Sequence, residues 1–460
     1  MASVVTPRLF VVRIVMSVLA SPLAAAIASP VLAGVKKPSE AIQPSKDLTV
    51  AALLKRYTSQ YVKANASAAA PQVQSTLAKL ALCRTRALGG HVYLCEGCQS
   101  ETPVYNSCGD RHCPQCSGAR RADWLDSTCE LLVPGATYFQ VVFTLPEELS
   151  ALALGNRREV YNLLFRSAWE ALRGLIADEQ GFEAAAAMVL HTWNQKLDAH
   201  AHVHALVPGG GPSLDPSRPG WIHSRKQNGK PSSAPYLVDA KELRKRYREA
   251  VLKGLRRLRE KGKLKLQGQF QALQDQAGWD EWLGRFEHKT WVSFIQGPPN
   301  EHCRPEHVAK YLARYMTGGP ISDRRLISHE DGKVQFWARV GNQTGGGDGR
   351  AAPYTLSGVE FVRRWSMHIL PKGFTKSRRY GGYSNHHRDR YMKECIALLP
   401  VETPPTPTVD EEAGPEEAAE ELTPQCVHCG EPMELVQSSF KPSWSDVMFS
   451  KYRPRWYADD

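Results

Sequence analysis

Beyond one stretch near its start, the 460-residue chain has no long apolar run, so nothing downstream of residue 33 is suited to span a membrane. It lacks the evenly spread cysteine pairs of a secreted disulfide frame. Six of its eleven cysteines, Cys83, Cys95, Cys98, Cys108, Cys113 and Cys116, fall within 34 residues, which fits a metal site in a reducing compartment. There is no internal repeat and no regular alternation of strand and helix, which disfavours a doubly wound parallel sheet and favours an α+β fold. A hydrophobic share of 42% with 23% charged residues excludes disorder or collagen over most of the length. At ~100–200 residues per domain the chain holds two to four units. That is long enough to bury a core without a metal or disulfide to hold the whole together. Acidic residues are in deficit, 47 against 58 basic, giving +11 and a pI near 9.1. The excess points to a polyanionic partner, nucleic acid or an anionic membrane surface.

The one apolar run, Phe10 to Ala33, follows Arg8, contains Arg13 and ends in small residues, like a secretory signal. Pro22 and Pro30 interrupt it and disfavour a spanning helix. With a thiol cluster downstream, residues 1–46 read as a disordered, uncleaved tail on a cytoplasmic protein with no stable membrane association. From Asp47, which reads as a cap, the spacing of Leu48, Leu53, Leu54, Tyr57 and Tyr61 predicts an amphipathic helix, and a second ends near Leu82. These helices and the cysteine-rich segment make a unit over 47–125. Residues 130–395 are mixed, with a buried strand from Tyr138, a helix over 156–178 and a hairpin of Met188–Trp193 and His200–Val207. Gly209-Gly-Gly-Pro-Ser closes the hairpin and opens a loop. A basic helix over 239–260, a strand at Trp291–Ile295, a helix over 305–316 and a strand near Lys333–Arg339 follow, then a Gly345-Gly-Gly-Asp-Gly loop. Residues 400–424 form an acidic, proline-rich linker before a 425–460 tail.

Cys95-Glu-Gly-Cys98 and Cys113-Pro-Gln-Cys116 are two C-x-x-C knuckles, each able to place two thiolates on one zinc ion. Together they predict one structural, zinc-ribbon-like site, closed to catalysis by its four thiolates. Cys83, Cys108, His91 and His112 are surplus ligands that could substitute in it or build a second site. Arg84, Arg86, Arg111, Arg120 and Arg121 surround the module, as expected if it contacts phosphates. Cys426-Val-His-Cys429 is half a site, which cannot close zinc by itself.

His200-Ala-His202-Val-His204 puts three imidazoles on one face of a strand at period two. All three in a row reach too far for one ion, so two of them would bind it with a ligand from elsewhere. If the hairpin turns at Asn194–Ala199, His191 lies across from His202 on the same face. The apolar Ala205-Leu206-Val207 that follows lacks the acidic residue and histidine of β-lactamase-type metallo-hydrolases. No glutamate of a cupin-like site appears either before Asp215. What remains is an ion with open positions, suited to polarising a phosphodiester oxygen. Tyr311 and Tyr315, at i and i+4 on the predicted 305–316 helix, would present stacked phenols with Lys310 and Arg314 beside them. A phenol is a competent nucleophile toward phosphorus when cations lower its pKa.

In the stretches Cys83-Arg-Thr-Arg-Ala-Leu-Gly-Gly-His91, Tyr105-Asn-Ser-Cys-Gly-Asp-Arg-His-Cys-Pro-Gln-Cys116, His191-Thr-Trp-Asn-Gln195, His200-Ala-His-Val-His-Ala-Leu-Val-Pro-Gly-Gly-Gly211, Tyr311-Leu-Ala-Arg-Tyr315 and Leu370-Pro-Lys-Gly-Phe374, the chain resembles rolling-circle transposases of the IS91 type, in the HUH endonuclease superfamily. The resemblance runs over about 80–395. It implies an HUH-type domain with a central antiparallel sheet and flanking helices. It further implies that His202 and His204 bind Mg2+ or Mn2+, and that Tyr311 and Tyr315 attack single-stranded DNA to leave a 5′-phosphotyrosine and a free 3′-OH. No small-molecule substrate is expected. Asn194 departs from the glycine usual in relatives and is expected to matter little in a turn. The alternative function is a non-catalytic, zinc-dependent DNA-binding protein; an exported metal hydrolase ranks third. The basic surplus concentrates in Lys241–Phe270, with 12 basic against 3 acidic residues, whereas Glu402–Glu421 holds 8 acidic and no basic ones. Arg244, Lys245, Arg246, Arg256 and Arg257 therefore read as a track for the DNA backbone beside the cleavage site.

Overall fold

In a computed structural model, residues 48–65, 70–225, 236–297, 319–340, 350–399 and 424–457 are described. The N-terminal tail, the predicted helix with Lys310, Tyr311, Arg314 and Tyr315, the Gly345 loop and the acidic linker lie outside them. Helices α1 (Val50–Ala64) and α2 (Pro71–Ala81) open the described chain. Thr49, not Asp47, caps α1, its hydroxyl accepting from the Ala52 amide at 3.1 Å. The cysteine-rich segment follows as β1 (Gly90–Cys95), β2 (Glu101–Tyr105) and α3 (Ser117–Cys129).

Next come β3 (Tyr138–Thr144), α4 (Glu147–Gly155), α5 (Arg157–Glu179), β4 (Ala185–Trp193) and β5 (Ala199–Pro208). The glycines after β5 do not simply open a loop. Gly210–Pro212 is a short strand, β6, paired with β7 (Trp221–His223), and a Cβ on Gly210 would meet the Ile222 carbonyl at 2.6 Å. Then come α6 (Ala240–Glu260), α7 (Gln276–Gly284), β8 (Val292–Gln296), β9 (Leu326–Glu330), β10 (Lys333–Val340) and β11 (Arg350–Ser357). The chain closes with α8 (Gly358–Ser366), β12 (Ser377–Gly381), α9 (Arg388–Leu398), β13 (Met433–Ser439) and α10 (Trp444–Met448).

The architecture is α+β around a five-stranded sheet of order β12-β4-β5-β3-β8, in which every pairing is antiparallel. Its back face carries Phe139, Val141 and Phe143 of β3 with Val203, Ala205 and Val207 of β5. These pack against α5 and α6 through residues such as Leu164, Leu172, Tyr247 and Leu255. Each buried Val, Leu and Phe among them contributes roughly 1.5–3 kcal/mol by leaving water. On the front face, Ala185, Ala187, Val189 and Leu206 are covered by Leu131–Val133, Tyr383 and Tyr391. The histidines occupy the continuation of that face.

A second core joins α1, α2 and α8 to the β9-β10-β11 sheet through Leu53, Tyr61, Leu77, Phe336, Phe361 and Trp365, and it reaches Cys83 and Cys113. Strands β9 and β10 turn at Asp331-Gly332, both at positive φ (48° and 72°), the two-residue geometry whose twist matches the strands it joins. The second core also takes in Leu197, from the turn of the histidine hairpin. The C-terminal segment is not a free tail, because β13 adds to β1 as the third strand of a β13-β1-β2 sheet.

Candidate active site and cysteine clusters

Strands β4 and β5 pair with His191 opposite His202, and His204 follows on the same face. Ring centroids lie 4.7 Å apart for His191 and His204, 5.0 Å for His202 and His204, and 5.3 Å for His191 and His202. One ring nitrogen from each falls within 4.8 Å of the others. His200 stays outside this trio. Beyond the His191–His202 pair the ladder resumes at Trp193–Ala199, so β5 carries one extra residue there, a bulge that takes His200 out of register.

The trio is fixed from behind. His202 Nδ1–H donates to the His200 carbonyl at 2.9 Å, which leaves Nε2 as a lone pair. The Gln140 Nε2 lies 2.9 Å from His204 Nδ1, so the amide pins the ring from behind; only with the amide flipped, oxygen inward, would it select the same tautomer as in His202. His191 stacks on Trp193 at 4.7 Å, and Trp193 in turn carries the Lys376 ammonium 5.1 Å from its ring centre. Burial, reinforced by His204 and His200, holds His202 well below the usual imidazole range; burial and then the Lys376 charge bring His204 down to about 4. Both rings are therefore neutral near pH 7, the state that can ligate a cation. Gln140 was legible only as a polar residue in the apolar run of β3, and Lys376 not at all.

The hairpin turn is anchored on two sides. Asn194 Oδ1 accepts from the amides of Lys196 (2.8 Å) and Asp198 (2.9 Å), and its Nδ2 donates to the Asp198 carboxylate at 3.1 Å. Contrary to expectation the residue matters, since glycine could supply none of these bonds. Leu197, at φ +65° and fully buried, plugs the turn into the second core. Arg364 of α8 donates to the Asp198 carboxylate at 2.6 Å and to the Lys196 carbonyl at 3.2 Å. Behind the turn, His368 Nε2–H donates to the Leu197 carbonyl and the Thr192 hydroxyl then donates to His368 Nδ1, both at 3.1 Å, and burial lowers the imidazole to about 3.

The cysteines form two four-thiol groups rather than the single predicted site: Cys83, Cys108, Cys113 and Cys116 in one, Cys95, Cys98, Cys426 and Cys429 in the other. The two adjacent knuckles thus separate, each completed by residues from elsewhere. In the first group Sγ–Sγ distances are 3.6 Å for Cys83–Cys116 and 3.7 Å for Cys108–Cys116. Four sulfurs at ~2.3 Å from one tetrahedral zinc stand about 3.8 Å apart, so the group fits that ion. The amides of Cys108 and Asp110 donate to Cys83 and Cys108 sulfurs at 3.4 Å, stabilising thiolate charge. All these thiols are free, far from the ~2.05 Å of a disulfide.

Neither alternative histidine joins a cluster. His91 Nδ1 lies 3.0 Å from the Ser438 hydroxyl. His112 is bonded at both nitrogens, to Asp110 at 3.0 Å and from the Leu370 amide at 3.0 Å. Arg111, expected at phosphates, instead donates to the carbonyls of Phe374, Leu370 (3.3 Å) and Pro371 (2.7 Å). His112 and Arg111 thus dock the cysteine module onto the Leu370–Phe374 stretch that leads into β12.

The cations of α6 are not beside the histidines. Leu243, Tyr247, Val251 and Leu255 seat this helix against the back face of the sheet, so Arg244, Lys245, Arg246, Arg256 and Arg257 lie on the side opposite the trio. Arg246 pairs with Asp178 (2.6 Å) and Glu242 (3.1 Å), Lys245 with Glu242 (3.7 Å) and Arg256 with Glu287. Among the described residues no helix is long and apolar enough to cross a membrane.

Residues 186–390 match the family model described as "Putative transposase", and residues 53–145 match "Transposase zinc-binding domain" of the IS91 type. The chain is 38% identical over 359 residues to "Putative transposase y4qJ" of Sinorhizobium fredii, covering 77% of this chain and 85% of that protein. It is 27% identical over 346 residues to "Transposase for insertion sequence element IS801" of Pseudomonas savastanoi pv. phaseolicola, covering 72% and 75%. No solved structure matches the chain. With two family models in order along it and a relative matched over most of both lengths, the chain belongs to the IS91-type transposases that carry an N-terminal zinc-binding domain.

Proposed function

We propose that this transposase nicks and rejoins single-stranded DNA at element ends through a 5′-phosphotyrosine intermediate in rolling-circle transposition. The observation that carries the reading is the trio His191, His202 and His204: three imidazoles converging on one face, His202 and His204 held neutral by burial and His202 presenting Nε2 because its Nδ1–H is taken by the His200 carbonyl. A divalent cation held there would polarise a non-bridging phosphate oxygen. Imidazole nitrogen suits Mn2+ better than the oxygen-seeking Mg2+.

Tyr311 and Tyr315 act as the nucleophiles. They follow β8, which pairs with β3 beside the strand bearing His202 and His204. A phenol loses its proton to solvent and its oxygen attacks phosphorus. The Tyr–O–P bond forms as the P–O3′ bond breaks, and the departing 3′ oxygen takes a proton. The phosphodiester energy stays in the phosphotyrosine, so a 3′-OH can attack it and restore a strand without ATP. The second tyrosine allows a second strand to be cut while the first is held. Lys376, whose charge acts on His204 and whose ammonium lies over the Trp193 ring, would add positive charge beside the scissile phosphate. Lys310 and Arg314 flank the tyrosines, and the cations of α6 serve DNA outside the cleavage centre. Zinc in the Cys83, Cys108, Cys113 and Cys116 group is structural, its four thiolates leaving no open position.

End-labelled single-stranded oligonucleotides carrying element ends, incubated with the protein and Mn2+, test this. A covalent adduct is expected, lost when Tyr311→Phe and Tyr315→Phe are combined; cleavage that survives the double change refutes the nucleophile assignment. His202→Ala is expected to abolish cleavage while DNA binding persists. Binding without any cleavage by the unaltered chain supports the non-catalytic reading instead.

A further inference from the structure

The C-x-x-C turns at Cys95 and Cys426 are the same local structure built twice. In one, the Cys95 amide donates to the Ser100 carbonyl at 3.0 Å and the Gln99 amide to the Cys95 carbonyl at 2.8 Å. In the other, the Cys426 amide donates to the Glu431 carbonyl at 2.8 Å and the Gly430 amide to the Cys426 carbonyl at 2.9 Å. The residue after the second cysteine is left-handed in both, Gln99 at φ +56° and Gly430 at φ +80°. The two turns face each other, with Sγ–Sγ distances of 3.3 Å for Cys95–Cys429 and 3.5 Å for Cys98–Cys426. The His428 amide donates to the Cys426 sulfur at 3.5 Å.

We infer that a second zinc ion binds Cys95, Cys98, Cys426 and Cys429 and clasps the C-terminal segment onto the N-terminal module. The sulfur separations lie slightly inside the ~3.8 Å of a tetrahedral four-thiolate site, so binding needs only a small outward movement. The apolar core at the turns themselves is small; further along, Trp456 packs against the second core and Lys79 lies over the Trp444 ring. The buried residues at this junction are Cys95, Cys426 and Met433, with Tyr93 packed against them. A cluster that small is where a bound ion supplies folding energy. The ion closes a chain path of more than 320 residues between Cys98 and Cys426, in a register that β1 and β13 share from Gly90–Ser439 to Cys95–Met433.

The clasp has a consequence for the surface it fixes. Residues 440–457 carry Lys441, Lys451, Arg453 and Arg455 among six aromatic residues, and Phe440 and Phe449 are almost fully exposed. The zinc fixes where this segment starts, together with β13 and the packing of Trp456 against the second core.

Metal content of the full chain, purified with a reductant, is the first test. The Cys426→Ser, Cys429→Ser double variant is expected to hold one zinc fewer per chain, and in the cobalt-substituted protein thiolate-to-cobalt absorption is expected to fall by half. Unchanged metal content refutes the site, as does the same loss of two titratable thiol pairs to disulfides in the unaltered chain. The second test places a protease site within residues 400–423 of the full chain. After cutting, the C-terminal fragment should co-elute with the remainder and separate from it when a chelator strips the second zinc. A fragment that stays bound without that zinc, held by β13 and the packing of Trp456, refutes the clasp.

Discussion

Exchange of single histidines for alanine distinguishes the trio from its neighbour. His191 contributes a nitrogen to the group that His202 and His204 complete, whereas His200 is displaced by the bulge in β5. Loss of a partner that merely orients a ligand costs about 10–100-fold in metal affinity, and loss of the ligand itself should reach the upper end or beyond. His191→Ala is therefore expected to weaken Mn2+ binding on the order of 100-fold, or about 2.7 kcal/mol. His200→Ala should stay within about threefold, the scatter expected of a change off the coordination sphere. Gln140→Leu removes the group that faces His204 Nδ1 and belongs between them, at about 10-fold. Mn2+ binding followed by electron paramagnetic resonance, with the Mn2+ requirement of cleavage measured alongside, reads all three. His191 is buried and stacks on Trp193, so its alanine variant also leaves a void. A melting curve without metal separates that structural loss from the lost ligand. If His200→Ala weakens Mn2+ as much as His191→Ala does, the assignment of the trio is wrong.

Leu197→Ala empties a fully buried position in the hairpin turn and should cost about 3 kcal/mol of stability, seen in a urea titration, while also raising the Mn2+ requirement of cleavage. Asn194→Gly removes three turn hydrogen bonds, partly screened by solvent, and should cost about 1–2 kcal/mol by the same titration. His368 is held near 3 when folded, against about 6.5 unfolded, so the unfolded chain binds the extra proton between those values. Its contribution is thus complete above about pH 6.5 and is lost at up to about 1.4 kcal/mol per unit as pH falls toward 3. His368→Asn should flatten the decline in urea midpoint between pH 7 and 4.5. At equal concentration Mn2+ should support faster cleavage than Mg2+, as the all-nitrogen ligand set favours it; equal rates would point to a carboxylate in the site.

What could be read in advance followed chain locality. The hairpin, its turn and the pairing of His191 with His202 all lie within the one stretch Ala185–Pro208, where period two and turn length suffice. The same locality misled at the cysteines. Two knuckles 14 residues apart look like one site, yet each is finished by a partner that the local pattern does not specify, Cys83 and Cys108 in one case and Cys426 and Cys429 in the other. The bulge that removes His200 depends on how β4 and β5 settle against each other, and a side-chain pattern of perfect alternation gives no sign of it.

The basic helix marks the deeper limit. Its apolar stripe, Leu243, Tyr247, Val251 and Leu255, and its cationic remainder are plain in the sequence. But amphipathicity says only that the stripe meets a core, and this sheet offers one on its back, where Val203 and Ala205 alternate with the histidines. A strand that carries histidines on one side and small aliphatics on the other has already assigned its helical layer to the aliphatic side. Read from β5 rather than from the helix, the alternation that singled out the histidine trio also required α6 to lie behind it. The charge that the helix concentrates is therefore kept one sheet thickness, about 10 Å with its side chains, from the histidine trio, and a DNA strand touching both would have to pass around an edge of the sheet.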